Sequence, residues 1–434
     1  MQLFHYMDLA WRSFARHRAL TALMVLAIGL GIGTSMTTLT VLYLLSGDPL
    51  PGKSGRTFHV QLDAAGEHGF RPGEEPRTQL TRYDGEALLR AQRAPRQALM
   101  SGGAGVIDPK GPGLAPFYVA TRYTSADFFS MFDVPFARGG PWTAKEDDAR
   151  ARVAIISQEL NEKLFDGGDG VGRSIRLEGH ELVIVGVLER WRPTPHFYDL
   201  YTGAYGEAEQ VFLPFTTSRD FELGRAGNID CWGRPGSGPL ALDAPCAWTQ
   251  FWVQLDSPAD AASYRDFLVN YSEEQRQSGR FARPPNVRLR TVMEWLDVRR
   301  VVPSDVRLQA WLAFAFLAVC LLNTVGLLLA KFLRRSEEIG VRRALGASRR
   351  AIFTQFLIEA GSVGLVGGVL GLGLAWMGLY VVRQQPVDYA PLARLDPSML
   401  AATFAISVAS SLLAGCLPAW RAARVAPALQ LKAQ

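Results

Sequence analysis

Four stretches of this 434-residue chain carry no charged side chain: Ala19–Gly47 (29 residues), Leu308–Ala330 (23), Ala360–Val382 (23) and Pro397–Trp420 (24). A helix needs about 20 mostly apolar residues to cross a bilayer, and within hydrocarbon a helix satisfies its own backbone groups. Each stretch qualifies, so four spans are expected. Residues 48–307, between the first two, are too long and too polar for a loop and should fold as a domain.

Basic residues set the orientation. Arg12, Arg16 and Arg18 precede the first run. Lys331, Arg334, Arg335, Arg342, Arg343, Arg349 and Arg350 lie between the second and third, against only Glu337 and Glu338. Arg421, Arg424 and Lys432 follow the fourth. With an even number of spans these three segments share one side, which the positive-inside rule makes cytoplasmic. The expected order is a cytoplasmic interfacial helix (1–18), span 1 (19–47), an outer α+β domain (48–307) and span 2 (308–330). A cytoplasmic segment (331–359), span 3 (360–382), a short outer loop (383–396), span 4 (397–420) and a cytoplasmic tail (421–434) complete it. Residues 48–307 hold 31 Lys and Arg against 35 Asp and Glu, and the rest 15 against 6. The net charge of +5 therefore reports membrane orientation; no basic, aromatic-interleaved patch for nucleic acid stands in the polar part.

Leu3, Phe4, Met7, Trp11 and Phe14 recur at helical spacing before the first run, as in a helix lying in the interface. The run is too long for a signal-peptide core, so an uncleaved span is expected. Gly29/Gly33, Gly364/Gly368 and Gly367/Gly371 form G-x-x-x-G pairs, which permit close helix approach. Gly47–Ser54, GDPLPGKS, matches a phosphate-loop pattern by coincidence: a span rather than a strand precedes it, and two prolines remove N–H donors.

Cys320 and Cys416 fall inside spans. Cys231 and Cys246 lie in a Gly- and Pro-rich part of the outer domain, where an oxidising compartment favours a disulfide over two free thiols. In the same domain FHVQLD (58–63) and FWVQLD (251–256) share five of six residues. Each opens a strand–helix–strand order: 57–62, 83–92 and 97–101, then 251–255, 260–275 and 287–291. Two related halves could close one layer from distant parts of the chain. Between them 152–157 reads as a strand, 158–165 as a helix, 174–177 and 181–188 as a hairpin, and 191–250 as loops.

No catalytic constellation emerges. The six histidines (5, 17, 59, 68, 180 and 196) lack metal-ligand spacing, and no Ser or Cys sits in a nucleophile motif. Glu74–Glu75 and Glu146–Asp148 read as solvated acids. Glu359 lies at the edge of a membrane run, and Asn323 is the notable polar residue within one.

Three stretches resemble the permease family of the macrolide exporter MacB and the division protein FtsX. LLNTVGLLLAKFLRRSEEIGVRRALGASRRAIFTQFLIEA (321–360) is similar to the family's second span, coupling segment and start of the third span. LPAWRAARVAPALQLK (417–432) is similar to its closing pattern. Residues 117–191, from FYVATRYTSADFF to GHELVIVGVLERW, resemble the MacB periplasmic core.

The resemblance implies a bacterial inner-membrane ABC-transporter permease that pairs with a second permease copy or paralogue. ATP and Mg would be bound by a partner ATPase, and no cofactor by this chain. That ATPase would dock at Glu337, Glu338, Ile339, Gly340, Arg342, Arg343, Ala344, Leu345, Gly346 and Ala347, with Gly340 and Gly346 as helix breaks. The implied role is export of periplasmic cargo, through a periplasmic adaptor and an outer-membrane channel. Lipoprotein extraction and an FtsX-like signal relay are the alternatives. MacB carries its ATPase at the N-terminus, whereas 18 residues precede the first run here, and the Cys231–Cys246 segment resembles an insertion.

Overall fold

The computed structural model describes residues 18–109, 114–387, 389–394 and 397–423. The interfacial helix expected over 1–18 falls outside them except for Arg18, as does the tail beyond Ala423. The chain divides into two compact units, one of residues 1–46 and 302–434 and one of Gly47–Val301.

The first unit contains four long apolar helices: span 1 (Arg18–Ser46), span 2 (Ser304–Leu333), span 3 (Arg349–Arg383) and span 4 (Pro397–Ala423). Spans 2 and 3, of 30 and 35 residues, outrun the uncharged stretches, because the backbone ladder continues beyond hydrocarbon. Span 3 packs on both span 1 and span 4, using different glycines for each. A Cβ on Gly367 or Gly371 would meet Ile28 or Ile32 of span 1, at 2.8 and 3.0 Å. Across that contact, a Cβ on Gly29 or Gly33 would meet Leu370 or Leu374, at 2.8 and 2.7 Å. On the other side a Cβ on Gly364 would overlap Ser411, and one on Gly368 would lie 2.8 Å from Ser407 Oγ. Hydroxyls reinforce the packing: Ser407 donates to the Gly364 carbonyl at 2.6 Å and Ser35 to the Ala313 carbonyl at 3.1 Å.

The inserted unit is built on one mixed sheet. Its first six strands are β1 (Thr57–Gln61), β2 (Leu80–Thr81), β3 (Arg96–Ile107), β4 (Phe117–Thr124), β5 (Phe136–Gly139) and β6 (Val153–Ile156). They are followed by β7 (Ser174–Leu177), β8 (His180–Leu188), β9 (Val211–Pro214), β10 (Asp230–Cys231), β11 (Cys246–Gln254) and β12 (Arg288–Thr291). The main path is β12-β1-β11-β3-β4-β9-β6-β8-β5. The helices that matter below are α1 (Arg82–Ala91), α2 (Ala144–Asp148), α3 (Pro258–Gln277) and α4 (Val292–Val298).

The two similar hexapeptides lie side by side. β1 and β11 pair antiparallel, with Phe58 opposite Val253 and His59 opposite Trp252. β1 and β3 run parallel with β11 inserted between them, while β11 and β12 run parallel with β1 between. Each half is thus a split βαβ unit, and the halves interleave. Their helices join where Tyr271 of α3 donates to Asp84 of α1 at 2.7 Å. The β7–β8 hairpin turns at Glu178 and Gly179, with φ of 47° and 80°, the two positive values a two-residue type I′ turn needs.

β3 continues to Ile107 instead of ending near Ser101. A Cβ on Gly103 would overlap the Tyr123 ring of β4, so a glycine there is the condition for this pairing. Residues 191–250, expected as loops, also contribute β9 and a buried charge cluster. Arg122 of β4 is fully buried. It donates to Asp199 at 2.7 Å and to Glu209 at 2.8 Å, while Tyr198 donates to Glu209 at 2.8 Å. Burial alone would raise the Glu209 carboxyl, but Arg122 and His196 hold it well below the carboxylate range.

Candidate coupling site

The charged segment between spans 2 and 3 becomes a short helix bound to both. Span 2 ends with Lys331 in its last turn. After a break at Arg335, a coupling helix occupies Ser336–Ala344. Gly346, at φ +100°, then supplies the left-handed turn that a side chain would strain. Ser348 caps span 3 by accepting from the Ala351 N–H at 3.1 Å. Gly340 breaks nothing: it lies within the coupling helix and is buried beside Ile339.

A chain of charges ties the three helices together. Lys331 Nζ lies 2.5 Å from Glu359 Oε1 of span 3, with both side chains almost wholly buried. Arg335 Nη1 reaches the other Glu359 oxygen at 3.4 Å, and its Nε donates to Glu338 at 3.1 Å. Arg342 closes the chain, 2.6 Å from Glu338 and donating to Gln355 of span 3 at 3.2 Å. Beneath it Phe332 and Phe356 meet at 4.1 Å between ring centroids.

Glu338 and Arg342, both in the expected docking segment, bond each other and their neighbours. They are engaged within the chain. What faces outward is apolar: Val341 is 54% and Leu345 84% exposed, with Ala344 and Gly346 exposed beside them. Arg343 and Ala347 are half-buried; the Glu337 side chain lies outside the described residues. Lys331, Arg335, Gln355 and Glu359 complete the site although the sequence pattern alone does not assign them to it. Their i, i+4 placement on facing helix ends is the signal that could have found them.

The MacB-like periplasmic core domain family model matches residues 21–270, and the FtsX-like permease C-terminal model matches residues 310–427. The chain belongs to the MacB-like permease family. This MacB-like permease is 25% identical to the pyoverdine export ATP-binding/permease protein PvdT of Pseudomonas fluorescens, over 100% of the chain and 60% of that relative. It is 27% identical to the macrolide export ATP-binding/permease protein MacB of Rhodospirillum rubrum, over 99% of the chain and 60% of the relative. The chain thus spans about 60% of the length of these curated relatives. The periplasmic region of MacB from Actinobacillus actinomycetemcomitans aligns with 58% of the permease at 9% identity and a TM-score of 0.37.

Cys231 and Cys246 of the permease face each other across β10 and β11 and are bonded. Among the described residues, no group of three or more His, Cys, Asp or Glu is placed to hold a metal ion.

Proposed function

We propose that this chain is the permease of an ABC-type exporter in the bacterial inner membrane, with both termini cytoplasmic and the inserted domain periplasmic. A cytoplasmic ATPase seats on the coupling helix. Closure of that ATPase on ATP moves the helix, and the charge chain passes the movement to spans 2 and 3. The inserted domain then acts on periplasmic cargo. The observation that carries this reading is the exposed Val341–Leu345 edge on a helix fastened to both spans. An apolar edge on an otherwise charged segment marks a protein contact, and its fastening makes it a lever. The export names of the relatives support the direction of transport.

The test is co-purification of the solubilised chain with its ATPase, wild type beside Leu345→Glu and Val341→Glu. Neither substitution touches the charge chain. Loss of the ATPase with the bundle still folded is the expected result. An ATPase retained by both variants, or none in the wild type, overturns the proposal.

A further inference from the structure

A cavity of about 510 Å³ opens in the inserted domain between the end of α1, the start of β3 and α2. Its size is that of a small-molecule site. Acceptors dominate its polar wall. Gln97, at the start of β3, lines it and is 5% exposed. The Gln97 Nε2 donates to the Leu89 carbonyl at 2.5 Å, which leaves Oε1 as the open end of the amide. That oxygen is buried and has no hydrogen-bond partner among the described residues. Native folds rarely leave a buried acceptor without a donor.

Three carboxylates share the wall: Asp127, Asp147 and Asp148. Asp147 accepts from the Ala126 N–H at 2.7 Å and from the Trp142 indole at 2.8 Å. One oxygen of Asp127 accepts from the Gln97 N–H at 3.0 Å. A carboxylate has about four lone-pair sites, so both keep capacity to accept. Asp148 is exposed and accepts nothing among the described residues. The one cation on the wall, Arg90, faces Glu86 at 3.4 Å, so the cavity is negative on balance.

An occupant must therefore bring positive charge and several donors. A metal ion needs its oxygens within about 2.6 Å, and among the described residues no cluster of acids is placed that closely. An ammonium accepts looser distances, about 2.7–3.2 Å, and offers three N–H groups and no acceptor. Leu89, Pro95 and Ala144 supply apolar wall beside the acids, on which a short carbon chain can lie. We propose that this cavity binds the primary ammonium group of an aliphatic amine, with Gln97, Asp127, Asp147 and Asp148 as its acceptors. The inference is independent of the ATPase reading.

Binding should depend on pH. Burial pushes the Asp147 carboxyl up to about 7, and Asp148 and Asp127 add to the shift. The other charged groups around it are Lys145 of α2, Arg90 of α1, and Asp220 on the helix Phe215–Asp220 behind α2, the last paired with Arg150 at 2.6 Å. A cation seated beside Asp147 favours its ionised form, so binding releases a proton and strengthens as the pH rises through 7.

The experiment titrates the full chain in maltoside micelles by calorimetry, against micelles alone, with n-butylammonium, tetramethylammonium and calcium chlorides. n-Butylammonium should bind once per chain, about three- to tenfold more tightly at pH 8 than at pH 6. Tetramethylammonium, which has the charge without an N–H, and calcium should not displace it. Asp148→Asn should weaken binding about three- to tenfold, while Asp148→Glu retains it. Ala144→Trp, from an exposed position at the rim, should abolish it. An intact Cys231–Cys246 bridge and unchanged helicity show that the variants are folded. No binding of n-butylammonium, displacement by either other cation, the same affinity at both pH values, or wild-type affinity in Asp148→Asn or Ala144→Trp each overturns the proposal.

Discussion

Lys331 and Glu359 meet at 2.5 Å in a region from which solvent is excluded. Two charges out of water are tolerated because each cancels the other, so removing one leaves an uncompensated buried charge. Glu359→Gln is expected to destabilise the bundle by about 3–5 kcal/mol. The double substitution Lys331→Met, Glu359→Met should recover most of that, since Arg335 keeps Glu338. Thermal unfolding in nanodiscs, read as a double-mutant cycle, checks this. A coupling energy near zero would mean the pair is not what secures the site.

His59 carries a pH dependence. Its ring stacks on Trp295 at 3.9 Å and meets the edge of Trp252 at 5.0 Å. Burial first, then Arg290 and Arg299, push it down to about 3. The unfolded chain takes its proton near pH 6.5 and the folded one only near 3, so stability present above pH 6.5 is lost as the pH falls between those values. His59→Phe keeps the stack and removes the proton. At pH 5 the variant should lose about 2 kcal/mol less than wild type, relative to pH 7.5. Tryptophan fluorescence during denaturant unfolding reads it directly, through Trp252 and Trp295. Parallel pH profiles would refute the assignment.

Two glycines of span 3 should respond oppositely. A Cβ at Gly364 overlaps Ser411, whereas one at Gly373 meets nothing within 4 Å. Gly364→Ala is expected to cost about 1–3 kcal/mol by overpacking. Gly373→Ala should be neutral or slightly stabilising, because alanine is the better helix former. Equal melting temperatures for the two variants would count against the span 3–span 4 contact.

The Cys231–Cys246 bridge staples a short strand onto β11 with a sequence separation of 15. Cys231→Ser should lower the stability of the inserted domain by about 2–4 kcal/mol. Mild reduction of wild type should produce the same shift and leave the variant unaffected. A reductant that shifts both alike would point to another target.

The spans were legible because 23 or more residues without a charge match the thickness of a bilayer and exceed what a soluble core helix normally keeps uncharged. The interleaved halves showed through Phe58–Asp63 and Phe251–Asp256, since adjacent buried strands demand similar side chains. Partner choice was not legible. Glu338 meets Arg335 and Arg342 locally at i, i+3 and i, i+4, but only the return of span 3 brings Gln355 to Arg342 and Glu359 to Arg335. Arg122 finds Asp199 and Glu209 at separations of 77 and 87 residues, with no local pattern to announce it. The strand was expected to end at Ser101, because the ring that needs Gly103 to lack a Cβ belongs to Tyr123, on the next strand.

The pairing of β1 with β12 also has a mechanical side. Phe58, where the chain enters the sheet, stands opposite Thr291, where it leaves. Any pull that separates the two ends therefore loads this ladder at its open end and peels it one bond at a time. A ladder pulled along its length would have to break many bonds together. The inserted domain should accordingly open at low force from its connecting ends, with β1 and β12 parting first and the β3–β8 body left intact.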